Sequence, residues 1–104
     1  MRAETLKGHL DFLLLATVAA EPAHGYRIIE ELKRRSGGAF DLPEGTVYPA
    51  LHRLEEMGLL MSSWAAGSGR RRRVYRLTAR GRRALADRRR EWAGFTNAVE
   101  AVVA

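Results

Sequence analysis

Apolar residues recur along this chain in two rhythms, helical at first and then alternating. From Leu6 to Ala20 one stripe holds Leu6, Leu10, Leu13, Leu14 and Thr17, and a second holds Phe12, Leu15 and Ala19. A helix that is apolar around most of its circumference needs cover on most sides. One small domain supplies little of that, so a partner subunit is the natural cover. Glu21-Pro22 ends the helix, because proline lacks a backbone donor and disfavours helical geometry in the residue before it. A second helix is expected from about Ala23 to Arg35, with Tyr26, Ile29 and Leu32 facing inward. Lys33, Arg34 and Arg35 suit the negative end of its dipole, and Ser36-Gly37-Gly38 stops it. A third helix spans roughly Pro43 to Met57, with Val47, Leu51 and Leu54 as its core stripe. Pro49 is tolerable if the helix begins near Gly45 or Thr46, with Thr46 as N-cap, since the first amides have no helical acceptor.

After Gly58 the rhythm shortens. Leu59–Trp64 and Arg72–Leu77 are strand-length segments around a loop-type sequence, Ala66-Gly67-Ser68-Gly69-Arg70, which together make a hairpin. Thr78 then caps a last long helix running from Ala79 toward Val103. The expected fold is mainly α with a small β-hairpin: a winged helix-turn-helix over residues 1–78 and a C-terminal dimerisation helix over 79–104, forming one compact unit. In that architecture the second and third helices read DNA, the third lying in the major groove, and the hairpin is the wing.

Composition narrows the picture. A chain of 104 residues has room for one domain and buries only about two-thirds of its unfolded surface, which again favours a second copy. No cysteine is present, so disulfides, thiolate metal sites and cysteine nucleophiles are excluded, and a reducing cytoplasm fits. The apolar run from Phe12 to Ala20 is too short to span a bilayer, and the sequence after it lacks a signal-peptidase pattern; a soluble chain without a membrane partner is expected. Charge is strongly uneven. Residues 70–90 hold eleven arginines against Asp87 alone, a net of +10 in a chain of net +6. Such a block suits a polyanion, nucleic acid first and a membrane surface second, while a solvated basic helix face is the plain alternative.

The candidate chemistry follows from these placements. Arg70, Arg71, Arg72 and Arg73 leave a glycine-flanked hairpin tip, and guanidinium forks match phosphate geometry. Four consecutive strand residues alternate faces, so not all four can touch DNA together; the alternative role is a charged edge that blocks strand-to-strand aggregation. On the third helix, Thr46, Pro49, His52 and Arg53 lie opposite the core stripe, with Tyr48 at the margin. Arginine can pair bidentately with guanine, and threonine or histidine can reach phosphates or base edges. Tyr48 offers its hydroxyl to a phosphate or its ring to the core. Glu55 and Glu56, at the far end, are expected in solvent. His9, His24 and His52 come from different elements with no cysteine or acidic cluster beside them, so no metal, no cofactor and no catalytic machinery are expected. The last helix carries Leu85, Trp92, Phe95, Val99 and Val102 at spacings of 7, 3, 4 and 3, a heptad-like seam that reads as a dimer interface or as packing against its own domain. Leu10 and Leu14 of the first helix are expected to share in that interface.

Four segments carry a family resemblance: His24-Gly25-Tyr26 with Ile28 and Leu32; Gly45-Thr46-Val47-Tyr48-Pro49-Ala50-Leu51-His52-Arg53-Leu54-Glu55; Gly58-Leu59-Leu60; and Val74-Tyr75-Arg76-Leu77-Thr78-Ala79-Arg80-Gly81. In this order, over roughly residues 6–85, they resemble the PadR-like transcriptional regulators. The resemblance implies a homodimeric repressor that binds double-stranded DNA, with the last helix dimerising against the partner's first helix. It also implies, for some relatives, a planar aromatic or drug-like effector stacked on a tryptophan, a position that Trp92 could occupy. The short tail matches the compact subgroup without an added C-terminal domain.

The function expected is therefore sequence-specific regulation at a palindromic operator, by a cytoplasmic, nucleoid-associated homodimer and not by an enzyme. Two alternatives stand beside it: a sequence-tolerant architectural DNA binder driven by Arg70–Arg73, and a winged-helix adaptor that contacts protein.

Overall fold

The computed structural model describes residues 6, 8–67 and 70–104. Helix α1 runs from Leu10 to Ala20 and is shorter at its start than the apolar pattern suggested. The reason is local: Gly8 takes φ +84°, a left-handed conformation that interrupts the helix, and the His9 amide donates back to Leu6 O.

Strand β1 is the pair Ala23–His24, and helix α2 follows from Gly25 to Arg35. The expected start at Ala23 is corrected by two residues, because Ala23 and His24 pair with Tyr75 and Val74 of the hairpin instead. His24 then caps α2, its Nδ1 accepting the Arg27 amide at 3.2 Å. The inward face of α2 is Gly25, Ile28 and Leu32, with Ile29 half-buried. Tyr26, expected inside, is 56% exposed. It sits one residue, or about 100° of helical turn, from Gly25, and Gly25 faces the next helix, where an added Cβ would meet the Tyr48 ring.

Helix α3 spans Glu44 to Glu56 with Pro43 at its N-cap. Thr46 is therefore not the cap: its amide, and that of Val47, donate to Pro43 O at 3.0 and 3.2 Å, so both residues lie in the first turn. Pro49 falls inside the helix. Its missing N–H strands the carbonyl of Gly45, and both residues are exposed, where water can serve that oxygen.

Strands β2 (Leu60–Gly67) and β3 (Arg70–Leu77) pair antiparallel, from Leu60 opposite Leu77 to Gly67 opposite Arg70. Pairing thus extends through Ala66, Gly67 and Arg70, which the sequence had suggested as loop; Ser68 and Gly69 lie outside the described residues. With β1 the sheet has three strands in the order β1-β3-β2. Helix α4, Ala79–Val103, completes a mainly helical chain with a small antiparallel sheet.

Leu14, Ile28, Val47, Leu51 and Leu54 are completely buried and form the centre of the core, closed below by Leu60, Tyr75 and Leu77. The start of α4 is locked to this core. Thr78 Oγ1 donates to Gly58 O at 2.6 Å and accepts the Gly81 amide at 2.9 Å. Gly81 and Leu85 are the buried residues of α4. Its front thus belongs to the winged-helix core, and the rest reaches outward, giving extents of 53 × 29 × 19 Å.

Candidate nucleic-acid interface

The core stripe of α3 turns Thr46, Pro49, His52 and Arg53 to the surface, and all four are exposed. Tyr48 is half-buried at the margin. Its ring lies across Gly25, so close that a Cβ there would come within 2.5 Å of Tyr48 Cε1. This contact sets the α2–α3 approach and leaves the hydroxyl beside the hairpin. Burial, and then the carboxylate of Glu44, raise the pKa of Tyr48 above its ordinary value, keeping the phenol a donor.

Arg53 is the one base-reading candidate on α3 with a defined partner: its guanidinium pairs with Asp11 of α1. Both side chains are substantially exposed, so the pair is weak and yields readily to a better acceptor. Nothing local in the sequence joins residues 42 positions apart.

The wing divides its arginines between two faces. Arg71 and Arg73 lie on the face of Trp64, their guanidinium carbons 4.9 and 5.2 Å from its ring centre. Trp64, directly opposite Arg73, was missed from sequence, although counting by twos from the hairpin turn would have found it. Arg72 points the other way, its Nη1 2.9 Å from His24 Nε2. Arg70 stands opposite Gly67 in the strand register. The expectation that Glu55 is a free solvent carboxylate is corrected: Ser62 Oγ donates to it at 2.5 Å, Arg73 Nε donates to Ser62 Oγ at 2.7 Å, and Arg73 Nη2 lies 3.8 Å from it. Glu55 therefore anchors the wing base to α3. Glu56 is exposed as expected.

Several basic residues elsewhere have local partners. Arg34 pairs with Glu31 at 2.8 Å and Lys33 with Asp41 at 3.6 Å. Arg88 donates to Gly8 O at 3.1 Å and covers the ring of Phe12. The three histidines stay apart: His9 meets the Trp92 ring edge-on at 5.6 Å, His24 caps α2, and His52 is exposed on α3. Among the described residues no three His, Asp or Glu side chains gather as a metal site, and no helix is long and apolar enough to cross a membrane.

The proposed seam separates into two groups. Leu14 and Leu85 are sealed in the chain's own core, so neither presents a face to a partner, and Leu10 is half-buried against that core. Trp92, Phe95, Val99 and Val102 are exposed along α4, Phe95 at 61% and Val102 at 84%. Trp92 contacts Phe12 of α1 and Phe95, with ring centres 6.3 and 6.1 Å away.

A helix pair with an exposed polar outer face on its second member, flanked by an arginine-bearing hairpin, defines a winged helix-turn-helix protein of the DNA-binding class. The model of the transcriptional regulator PadR-like family matches residues 14–87, and the chain belongs to that family: it is a PadR-like transcriptional regulator. It is 44% identical over 77 residues to the transcriptional regulator Rv3488 of Mycobacterium tuberculosis, covering 74% of this chain and 69% of that protein. A PadR family regulator from Eggerthella lenta is 32% identical, with TM-score 0.83 over 96% of this chain and 86% of that one. A transcriptional regulator from Clostridium thermocellum, at 24% identity, shares the fold with TM-score 0.87 over 100% of this chain and 99% of that one. These relatives are transcriptional regulators and not enzymes.

Proposed function

We propose that the protein is a homodimeric repressor of a palindromic operator, each protomer laying α3 in the major groove of one half-site and its wing on the flanking backbone. The observation that carries this reading is the exposed set Thr46, Pro49, His52 and Arg53 on one side of α3, beside the arginines of β3. Arg53 reads a guanine, and Arg70 and Arg71 hold phosphates. Two half-sites about one helical turn apart require two copies of α3, and the apolar side of α4, from Trp92 to Val102, is the surface that joins them. The dimer works on cytoplasmic, nucleoid DNA. Trp92, among His9, Phe12 and Phe95, is the seat for a planar aromatic effector, which would act by resetting the spacing of the two α3 helices.

The test is a salt-dependent titration of the protein against its own upstream promoter DNA and a random duplex of equal length. A preference of roughly a thousandfold or more supports a specific regulator. Equal, salt-sensitive binding would instead make it an architectural binder, and no binding at moderate salt an adaptor for protein.

Two substitution results are expected. Arg53→Ala should cost roughly 1–3 kcal/mol on the operator and relax its base preference, while Asp11→Asn, which frees Arg53, should tighten operator binding roughly two- to fivefold. Equal losses for Arg53→Ala on operator and random DNA would make Arg53 a phosphate contact. Replacing Arg70 and Arg71 together by Gln should weaken binding to every duplex and flatten the salt dependence by roughly 0.9 in log–log slope for each phosphate left without its arginine. An unchanged slope would remove these two wing residues from the DNA interface.

A further inference from the structure

One imidazole in this structure faces two donors. His24 Nδ1 accepts the Arg27 amide at 3.2 Å, and Nε2 lies 2.9 Å from Arg72 Nη1. A neutral imidazole has one N–H and one lone pair, and an imidazolium has two N–H groups, so neither form accepts at both positions. The tautomer that caps α2 carries its hydrogen on Nε2 and points it at a guanidinium. Two donors then stand side by side with no acceptor between them. They open into a cleft of about 470 Å³ between the start of α2, the first turns of α3 and the wing. Tyr48 and Tyr75 also line this cleft, as do Glu44 and the residues Arg71 and Arg73, whose guanidiniums turn to Trp64.

We propose that the cleft is a phosphate clamp, in which a non-bridging oxygen of a DNA phosphodiester accepts from both His24 Nε2–H and the Arg72 guanidinium. The clamp rests on the DNA-binding reading above and deepens it. It accounts for the His24-Gly25 pair that the sequence singled out: His24 supplies the donor, and Gly25 lets the Tyr48 ring close the wall. Burial, and then the charges of Arg72 and Arg27, outweigh Glu30 and lower the His24 pKa below its ordinary value, which favours the neutral, capping imidazole.

The variant that separates the two roles is His24→Asn. Asparagine is among the best N-caps, so α2 stays capped while the Nε2 donor is removed. Operator and random duplex should both bind on the order of tenfold more weakly, as for a missing hydrogen bond to a charged group, with the thermal midpoint and the salt slope unchanged. Arg72→Gln should weaken binding similarly and flatten the slope by about one. Replacing backbone phosphates one at a time by methylphosphonate should reveal one linkage per half-site whose neutralisation weakens the wild-type protein but not His24→Asn.

The ¹⁵N spectrum of the His24 ring in the wild-type protein gives a check that needs no variant. Nδ1 should be unprotonated and Nε2 protonated, and Nε2 should shift with duplex but not with inorganic phosphate at matched phosphate concentration. The opposite tautomer, or a fully folded His24→Asn with wild-type affinity, overturns the clamp. A shift with inorganic phosphate alone overturns the phosphodiester assignment in favour of a free phosphate ligand. Wild-type binding to duplex in the same titration judges the DNA-binding reading separately: absent binding ends both, and intact binding with an indifferent His24 ends only the clamp.

Discussion

Phe95→Asp combined with Val99→Asp is expected to yield a folded monomer whose operator affinity has fallen by about two to four orders of magnitude. Both side chains are exposed in the single chain, where Phe95 meets the ring of Trp92, and neither belongs to the protomer's buried core. Helical circular dichroism and the thermal midpoint of the isolated protomer should therefore survive. The loss falls on the partner contact, where two carboxylates would sit in the middle of an apolar seam without counter-charge. A dimer engages its second half-site at high effective concentration, and that gain, of order 10²–10⁴, disappears in a monomer. Light scattering and operator titration read the two effects together. A dimer of unchanged mass would place the interface elsewhere on the molecule, and a monomer with wild-type operator affinity would remove the palindrome from the proposal.

The second large effect is expected at Gly81. Gly81→Ala should destabilise the protomer by about 3 kcal/mol or more, lowering the thermal midpoint by upwards of about 10 °C for a domain of this size. The added Cβ would stand 2.0 Å from Leu59 O and 3.0 Å from Leu59 C, and backbone cannot rotate aside as a side chain can. Relief requires lifting α4 from the α3–β2 junction. That motion breaks the bonds tying Thr78 to it: the Thr78 amide to Leu59 O at 3.2 Å and Thr78 Oγ1 to Gly58 O at 2.6 Å. Gly94, further along the same helix, is the control. A Cβ there meets nothing, so Gly94→Ala should be neutral or stabilise by about 0.5–1 kcal/mol. Equal melting of the two variants would mean that the start of α4 is not seated against Leu59 as described.

These two sites differ in how far the sequence foretold them. The apolar run of α4 was legible because Trp92, Phe95, Val99 and Val102 repeat at helical spacing on a helix whose winged domain already has a core. Gly81 gave no such signal: a glycine in a first helical turn looks like a propensity defect until the neighbouring carbonyl is seen. The same divide runs through the interface. Val47, Leu51 and Leu54 predict which side of α3 is buried, and hence that Thr46, Pro49, His52 and Arg53 are presented. That Arg53 is held by Asp11 and Glu55 by Ser62 and Arg73, and that His24 takes the Arg27 amide on one nitrogen while the other faces Arg72, depends on chain segments meeting across the fold.

The sequence by itself determined the order of helices and hairpin, the buried stripe of α3, the basic wing and the apolar run along α4. All of these are periodic or compositional properties, expressed within a few residues of each other. Tertiary structure alone decided where α2 begins, because β3 claims Ala23 and His24 as a third strand. It alone decided that Tyr26 faces out, because Gly25 must face Tyr48. It also assigned Leu14 and Leu85 to the protomer's own core while leaving Trp92, Phe95, Val99 and Val102 open. The reason is common to all three: periodicity tells which side of an element is apolar, but only the packed neighbour determines what covers it.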